Sequence, residues 1–270
     1  MENVSEIGGT EGGGDHAGAH PSFLQHHFDT PVQQLGASKL GMWIFVATEI
    51  LMFGGLFCAY AICRGQDPQI FDQAHHFLNK MYGTANTLVL LFSSMTAALA
   101  VRSAQLGKRN ETSLLLVTTI AAAGVFLFIK YLEWTHKMHL GLLPGHCFGH
   151  PWFSGAIHNG TRVGSCLRIH ADGGAGSPLW VRAVDESGHT QLLPPRANMF
   201  FALYFLMTGL HAVHVIVGMS ILGWVLYKNH TGKFSRAYYT PVELGAIYWH
   251  LVDLVWIYLF PLLYLVGKPE

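Results

Sequence analysis

Residues 40–62 read LGMWIFVATEILMFGGLFCAYAI, an apolar run whose one charged side chain is Glu49. A helix rises 1.5 Å per residue, so about 20 such residues cross the roughly 30 Å hydrocarbon core of a bilayer. The run therefore reads as a transmembrane helix, and four further apolar stretches follow it. A second span is expected over 84–101, a third over 113–134, a fourth over 197–227 and a fifth over 242–266. Pro261 falls in the last turns of the fifth, where its missing N–H should bend the helix. The expected fold is an all-α membrane protein, a bundle of five transmembrane helices.

Composition agrees. Of the 270 residues 51% are hydrophobic and only 12% charged, with a mean hydropathy of +0.32. Soluble domains carry about 25% charged residues, and here long uncharged stretches absorb the deficit. Lys+Arg and Asp+Glu both number 16, so no basic face recruits nucleic acid. Cys58 and Cys63 lie in or beside the first span and read as small buried hydrophobes. Cys147 and Cys166 share one hydrophilic loop and can pair only if it faces an oxidising compartment. Trp43, Trp134 and Trp249 suit interfacial anchoring.

Outside the spans, residues 1–38 are rich in Gly and His and lack hydrophobic periodicity, the pattern of a flexible tail. Glu2, Glu6, Glu11 and Asp15 stand where a signal peptide would be basic. Residues 39–137 hold spans one to three and 197–270 hold spans four and five. The intervening loop, 138–196, is rich in Gly and Pro, yet 164–170 and 179–184 alternate like strands around Asp172-Gly173-Gly174. A small β-hairpin on the membrane surface is expected there. Basic residues of the short connections favour one side: Lys39, then Arg102, Lys108 and Arg109, then Lys228, Lys233 and Arg236. By the positive-inside rule the N-terminus is cytoplasmic, and the long loop and C-terminus are periplasmic.

Ionisable groups deep in a span cost about 2.5–3.5 kcal/mol on insertion scales, so each needs a reason. From the helical rise, Glu49 lies roughly 13 Å and Asp253 roughly 16 Å from the cytoplasmic ends of their spans, with His214 at a height of roughly 20 Å. His211 and His214 share a helix face at i, i+3, as do His250 and Asp253. These depths let the five groups meet inside one bundle. Either they conduct protons or hold a metal or substrate, or they pair off and pin helices together. No HExxH or CxxC motif supports a metal site. Lys130, Glu133 and Lys137 form a second group near the end of span three, where they should snorkel to the interface.

Particular motifs carry a resemblance. The last span reads Tyr248-Trp249-His250-Leu251-Val252-Asp253-Leu254-Val255-Trp256, and the fourth reads Thr208-Gly209-Leu210-His211-Ala212-Val213-His214-Val215. Thr48-Glu49 before an aromatic-rich run, Asn86-Thr87 with Ser93-Ser94, and Lys130-Tyr131-Leu132-Glu133-Trp134 leading to Leu143-Pro144-Gly145 complete the set. Together, and in this order, they resemble subunit III of haem–copper terminal oxidases, in its five-helix bacterial form. The resemblance covers 36–145 and 197–267; the 146–196 segment departs from it. It implies an inner-membrane subunit of a proton-pumping oxygen reductase in which partner subunits, catalytic subunit I and subunit II, carry haem and copper. This chain itself would hold no metal, no redox centre and no catalytic residue. Bound phospholipid, support of the catalytic subunit and a route for oxygen are its implied roles, with Glu49, His211, His214, His250 and Asp253 lining the bundle interior. Quinol oxidase and nitric-oxide reductase accessory subunits share the pattern, and a stand-alone ion transporter is the rival of a different class.

Overall fold

A computed structural model describes residues 28, 30–74, 77–139, 142, 169–170, 179–184, 190–193, 197–232, 234 and 238–265. Five helices long and apolar enough to cross a membrane form its body. They are α1 (Pro31–Gln66), α3 (Lys80–Gln105), α4 (Arg109–His139), α5 (Ala197–His230) and α6 (Thr240–Phe260), joined by the short α2 (Pro68–Ala74). The first begins inside the stretch expected as tail, because Thr30 Oγ1 accepts from the Gln33 N–H and Pro31 supplies a helix-ready φ at the first position.

Helices α3 and α4 form an antiparallel hairpin. Its turn needs Gly107, at φ 74°, whose N–H closes on the Ala104 carbonyl while the Lys108 N–H reaches Ser103 O. Buried hydroxyl pairs tie the two helices beside the turn and near mid-seam: Ser103 to Thr112 and Thr96 to Thr119, each 2.8 Å. Buried Ala97, Ala100 and Ala123 let the backbones approach. Helix α6 is the most enclosed span, wedged among α1, α3 and α5. Trp249, expected as an interfacial anchor, is instead fully buried midway along it and donates its Nε1–H to Ser93 Oγ at 3.1 Å. Beyond Phe260, Pro261–Leu265 continues as a π-helical turn, the local distortion that a proline at this position invites.

Between α4 and α5 three short strands, β1 (Ile169–His170), β2 (Leu179–Val184) and β3 (Thr190–Leu193), pair antiparallel in that order. Ile169 faces Trp180, and Val184 faces Thr190. The expected turn at Asp172-Gly173-Gly174 and most of 164–170 lie outside the described residues, as do residues 1–27 of the tail and the Cys147–Cys166 pairing. Of the three, β3 lies against α2 at the end of the helical body. The short helix α2 buries Ile70, Phe71 and Ala74, with the Phe71 ring against Tyr60 at 5.1 Å and Phe200 at 5.3 Å. It plugs the end of the bundle where α1 and α5 meet, a role no long apolar run announces.

Candidate functional site

The intramembrane ionisable groups do not converge. They separate into three places set by which way each side chain leaves its helix.

Glu49 and His214 form one. Glu49 Oε2 sits 2.9 Å from His214 Nε2, joining α1 to α5, with each side chain 15% exposed. The other ring nitrogen of His214 bonds the Leu210 carbonyl at 2.8 Å, and the Phe53 ring lies edge-on at 5.3 Å. Of the pair, His214 borders a groove of 550 Å³ between α1, α5 and α6, walled by Met42, Phe45, Val217, Trp224 and Tyr248. At the start of α6, Lys39 crosses from α1 to Glu243 at 2.7 Å.

His211, one turn away, points elsewhere. Its ring is wholly buried between Phe126 at 5.6 Å and Trp256 at 5.3 Å, and neither nitrogen holds a hydrogen bond. Three positions on a helix turn a side chain by about 300°, which here is enough to send His214 to α1 and His211 to α4 and α6. The third place is on α6. His250 Nδ1 shares a 2.8 Å hydrogen bond with Ser94 Oγ of α3. Asp253 is buried beside the same serine, and neither carboxyl oxygen finds a hydrogen-bond partner among the described residues.

The group Lys130, Glu133 and Lys137 corrects an expectation: these side chains do not snorkel. Lys137 is 0% and Glu133 1% exposed. Glu133 Oε1 accepts from Lys137 at 2.7 Å, Tyr264 at 2.6 Å and Tyr204 at 3.0 Å, and Oε2 accepts from Lys130 at 2.8 Å. Lys130 also donates to the Tyr264 hydroxyl and stands 4.7 Å over the Trp256 ring. Four donors around one carboxylate bring α4, α5 and the π-helical turn together, satisfying charges that hydrocarbon would not. Reading the sequence alone missed Tyr204 and Tyr264; a phenol within an apolar run is the signal that could have flagged each. Among the described residues no three His, Cys, Asp or Glu side chains gather as metal ligands would.

Five apolar spans fastened by buried interhelical ties, with an apolar groove beside them, define a multi-pass helical membrane protein. The family model for cytochrome c oxidase subunit III matches residues 196–268, and the chain is 40% identical over 227 residues to the cytochrome c oxidase subunit 3 of Synechocystis sp., covering 84% of this chain and 74% of that one. The chain belongs to the cytochrome c oxidase subunit III family. It is also 26% identical over 272 residues to cytochrome c oxidase subunit 3 of Thermostichus vulcanus, 99% of this chain and 100% of that one. A haem–copper oxidase subunit I+III of Aeropyrum pernix is 26% identical over 262 residues, 91% of this chain but 24% of that longer protein.

Proposed function

We propose that the chain is the non-redox subunit III of a proton-pumping haem–copper oxygen reductase that oxidises cytochrome c, with haem and copper held by subunits I and II. Its work is to stabilise the catalytic subunit and to keep lipid, proton and oxygen access to it open. The observation that carries this reading is the division of the intramembrane charges into separate ties. A transporter gathers such groups around one cargo site, whereas Glu49–His214, Ser94–His250 and the Glu133 cluster each fasten a different set of helices. Apolar walls suit the groove to an acyl chain of a bound phospholipid, with His214 in its wall and Glu49 bonded to that ring as the proton-linked pair. The N-terminus is cytoplasmic, and the 138–196 segment faces the periplasm with the C-terminus. Quinol as the electron donor is the close variant.

An affinity pull-down from mild-detergent membranes, with a reduced-minus-oxidised spectrum of the eluate, tests the reading. Haem bands with larger co-eluting subunits are expected, and cytochrome c oxidation by the eluate separates that donor from quinol. A colourless, solitary chain from membranes whose oxidase survives the detergent overturns it.

A further inference from the structure

His250 lies ten residues beyond Thr240, about 15 Å along α6 and so near the middle of the bilayer. It is only partly buried, and on the wheel of α6 it shares its outward stripe with Leu254, 47% exposed. Trp249, Val252 and Trp256 face the opposite way, into the core. Across the seam on α3, partly exposed Ser94 is flanked by Leu91 and Met95, both exposed. The imidazole therefore looks out of the bundle. Its Nδ1 is engaged with Ser94 Oγ, and among the described residues its Nε2 makes no hydrogen bond. Whichever tautomer the ring adopts, Nε2 is left as an unanswered donor or acceptor. Just inside lies Asp253, 3% exposed, with neither carboxyl oxygen hydrogen-bonded among the described residues.

Hydrocarbon answers none of these groups, and outward-facing polar side chains at mid-bilayer are rare for that reason. Such residues serve instead as polar contacts between packed transmembrane helices. We propose that the face formed by α3 and α6, centred on the Ser94–His250 pair, is the surface on which a transmembrane helix of the catalytic subunit docks. That helix presents a hydroxyl, amide or backbone carbonyl to His250 Nε2, with Leu91, Met95 and Leu254 as the surrounding apolar contact. The choice of partner rests on the subunit III reading above. The relative in which subunits I and III are one polypeptide places the two beside each other in that protein's membrane. A second copy of this chain has no such support.

The test is photo-crosslinking in intact membranes, with a benzophenone amino acid at Met95 or at Leu254. A control probe goes at Leu114, exposed on α4. Tagged chain is recovered, and adducts are identified by mass spectrometry. Adducts of the catalytic subunit at Met95 and Leu254, but not at Leu114, are expected. Lipid adducts alone at both positions, adducts to another copy of the chain, or a stronger subunit adduct at Leu114 would each overturn the proposal. The probe-free chain is pulled down in parallel. If it brings no haem-bearing subunit, the subunit III reading has failed; if it does and the crosslinks miss, only the docking face has failed. In the same preparation His250→Leu should lower the catalytic subunit retained in detergent by about threefold to tenfold, the weight of one interhelical hydrogen bond. His250→Gln, which keeps a polar group at that height, should restore part of it.

Discussion

Glu49 and His214 sit in a setting where neither water nor lipid fully serves them, and their 2.9 Å contact is the tie between their helices. Interhelical hydrogen bonds in membranes average about 0.6 kcal/mol and reach about 1.7. A double-mutant cycle of Glu49→Leu and His214→Leu, read from thermal unfolding in detergent, should therefore give a coupling energy in that range. Additive single effects would mean that each group serves something else. Glu49→Gln keeps a hydrogen bond to the imidazole but removes the proton-binding carboxylate. Haem content should stay unchanged, while proton stoichiometry or catalytic durability shifts; if both hold, Glu49 is only a tie. Glu133 is a harder case, because four donors depend on it. Glu133→Leu strands two buried lysines and should cost about 3–5 kcal/mol, the usual penalty for removing one partner of a buried ionic group. Loss of the chain from membranes, against normal amounts for Lys108→Leu at the exposed surface pair, is the expected reading.

At the scale of the element, what matters is how closely two helices approach. A Cβ on Gly218 of α5 would come within 2.9 Å of the Trp249 ring and 3.1 Å of Tyr248, whereas one on Gly124 of α4 meets nothing within 4 Å. Gly218→Ala should cost about 1–3 kcal/mol by overpacking the α5–α6 seam, and Gly124→Ala should change stability by less than about 1 kcal/mol. Equal melting shifts for the two would show that the seam relaxes freely. The same contrast explains what the sequence could reveal. Span number and order were legible because hydrocarbon thickness fixes the length of an apolar run. The facing of each side chain was not. In helices that are apolar almost all round, no polar stripe marks the inside, so His211 and His214 looked like one site and proved to face different neighbours. Lys130 to Lys137 looked interfacial because depth was counted from the end of the apolar run at Trp134. The helix continues to His139, and Tyr204 and Tyr264 arrive from distant sequence to enclose the charges.

For the whole molecule, Lys39, Arg102, Lys108, Arg109 and Lys228, the described members of the basic set that leaned to one side in sequence, occupy one end. Lys39 of α1 meets Glu243 at the start of α6, and Asn229 at the end of α5 donates to the Arg109 carbonyl at the start of α4. Both ties bring the α3–α4 turn, with Lys108, to the same end as the start of α1. At the other end lie α2, Lys80 at the start of α3, and β3, which runs beside α2. Charge and packing therefore give the same division of the bundle, and the positive-inside rule assigns the Lys39 end to the cytoplasm. Alkaline phosphatase, active only after export, should be active when fused after Glu270 and inactive when fused at Lys108. The reverse pattern would invert the protein in the membrane while leaving every helix contact intact. It would put the 138–196 segment in the cytoplasm and remove the oxidising compartment that a Cys147–Cys166 bond requires. Activity at both fusions would be the more damaging result. Three spans separate the Lys108 turn from the C-terminus and force them to opposite sides, so one of α4, α5 and α6 would then not cross.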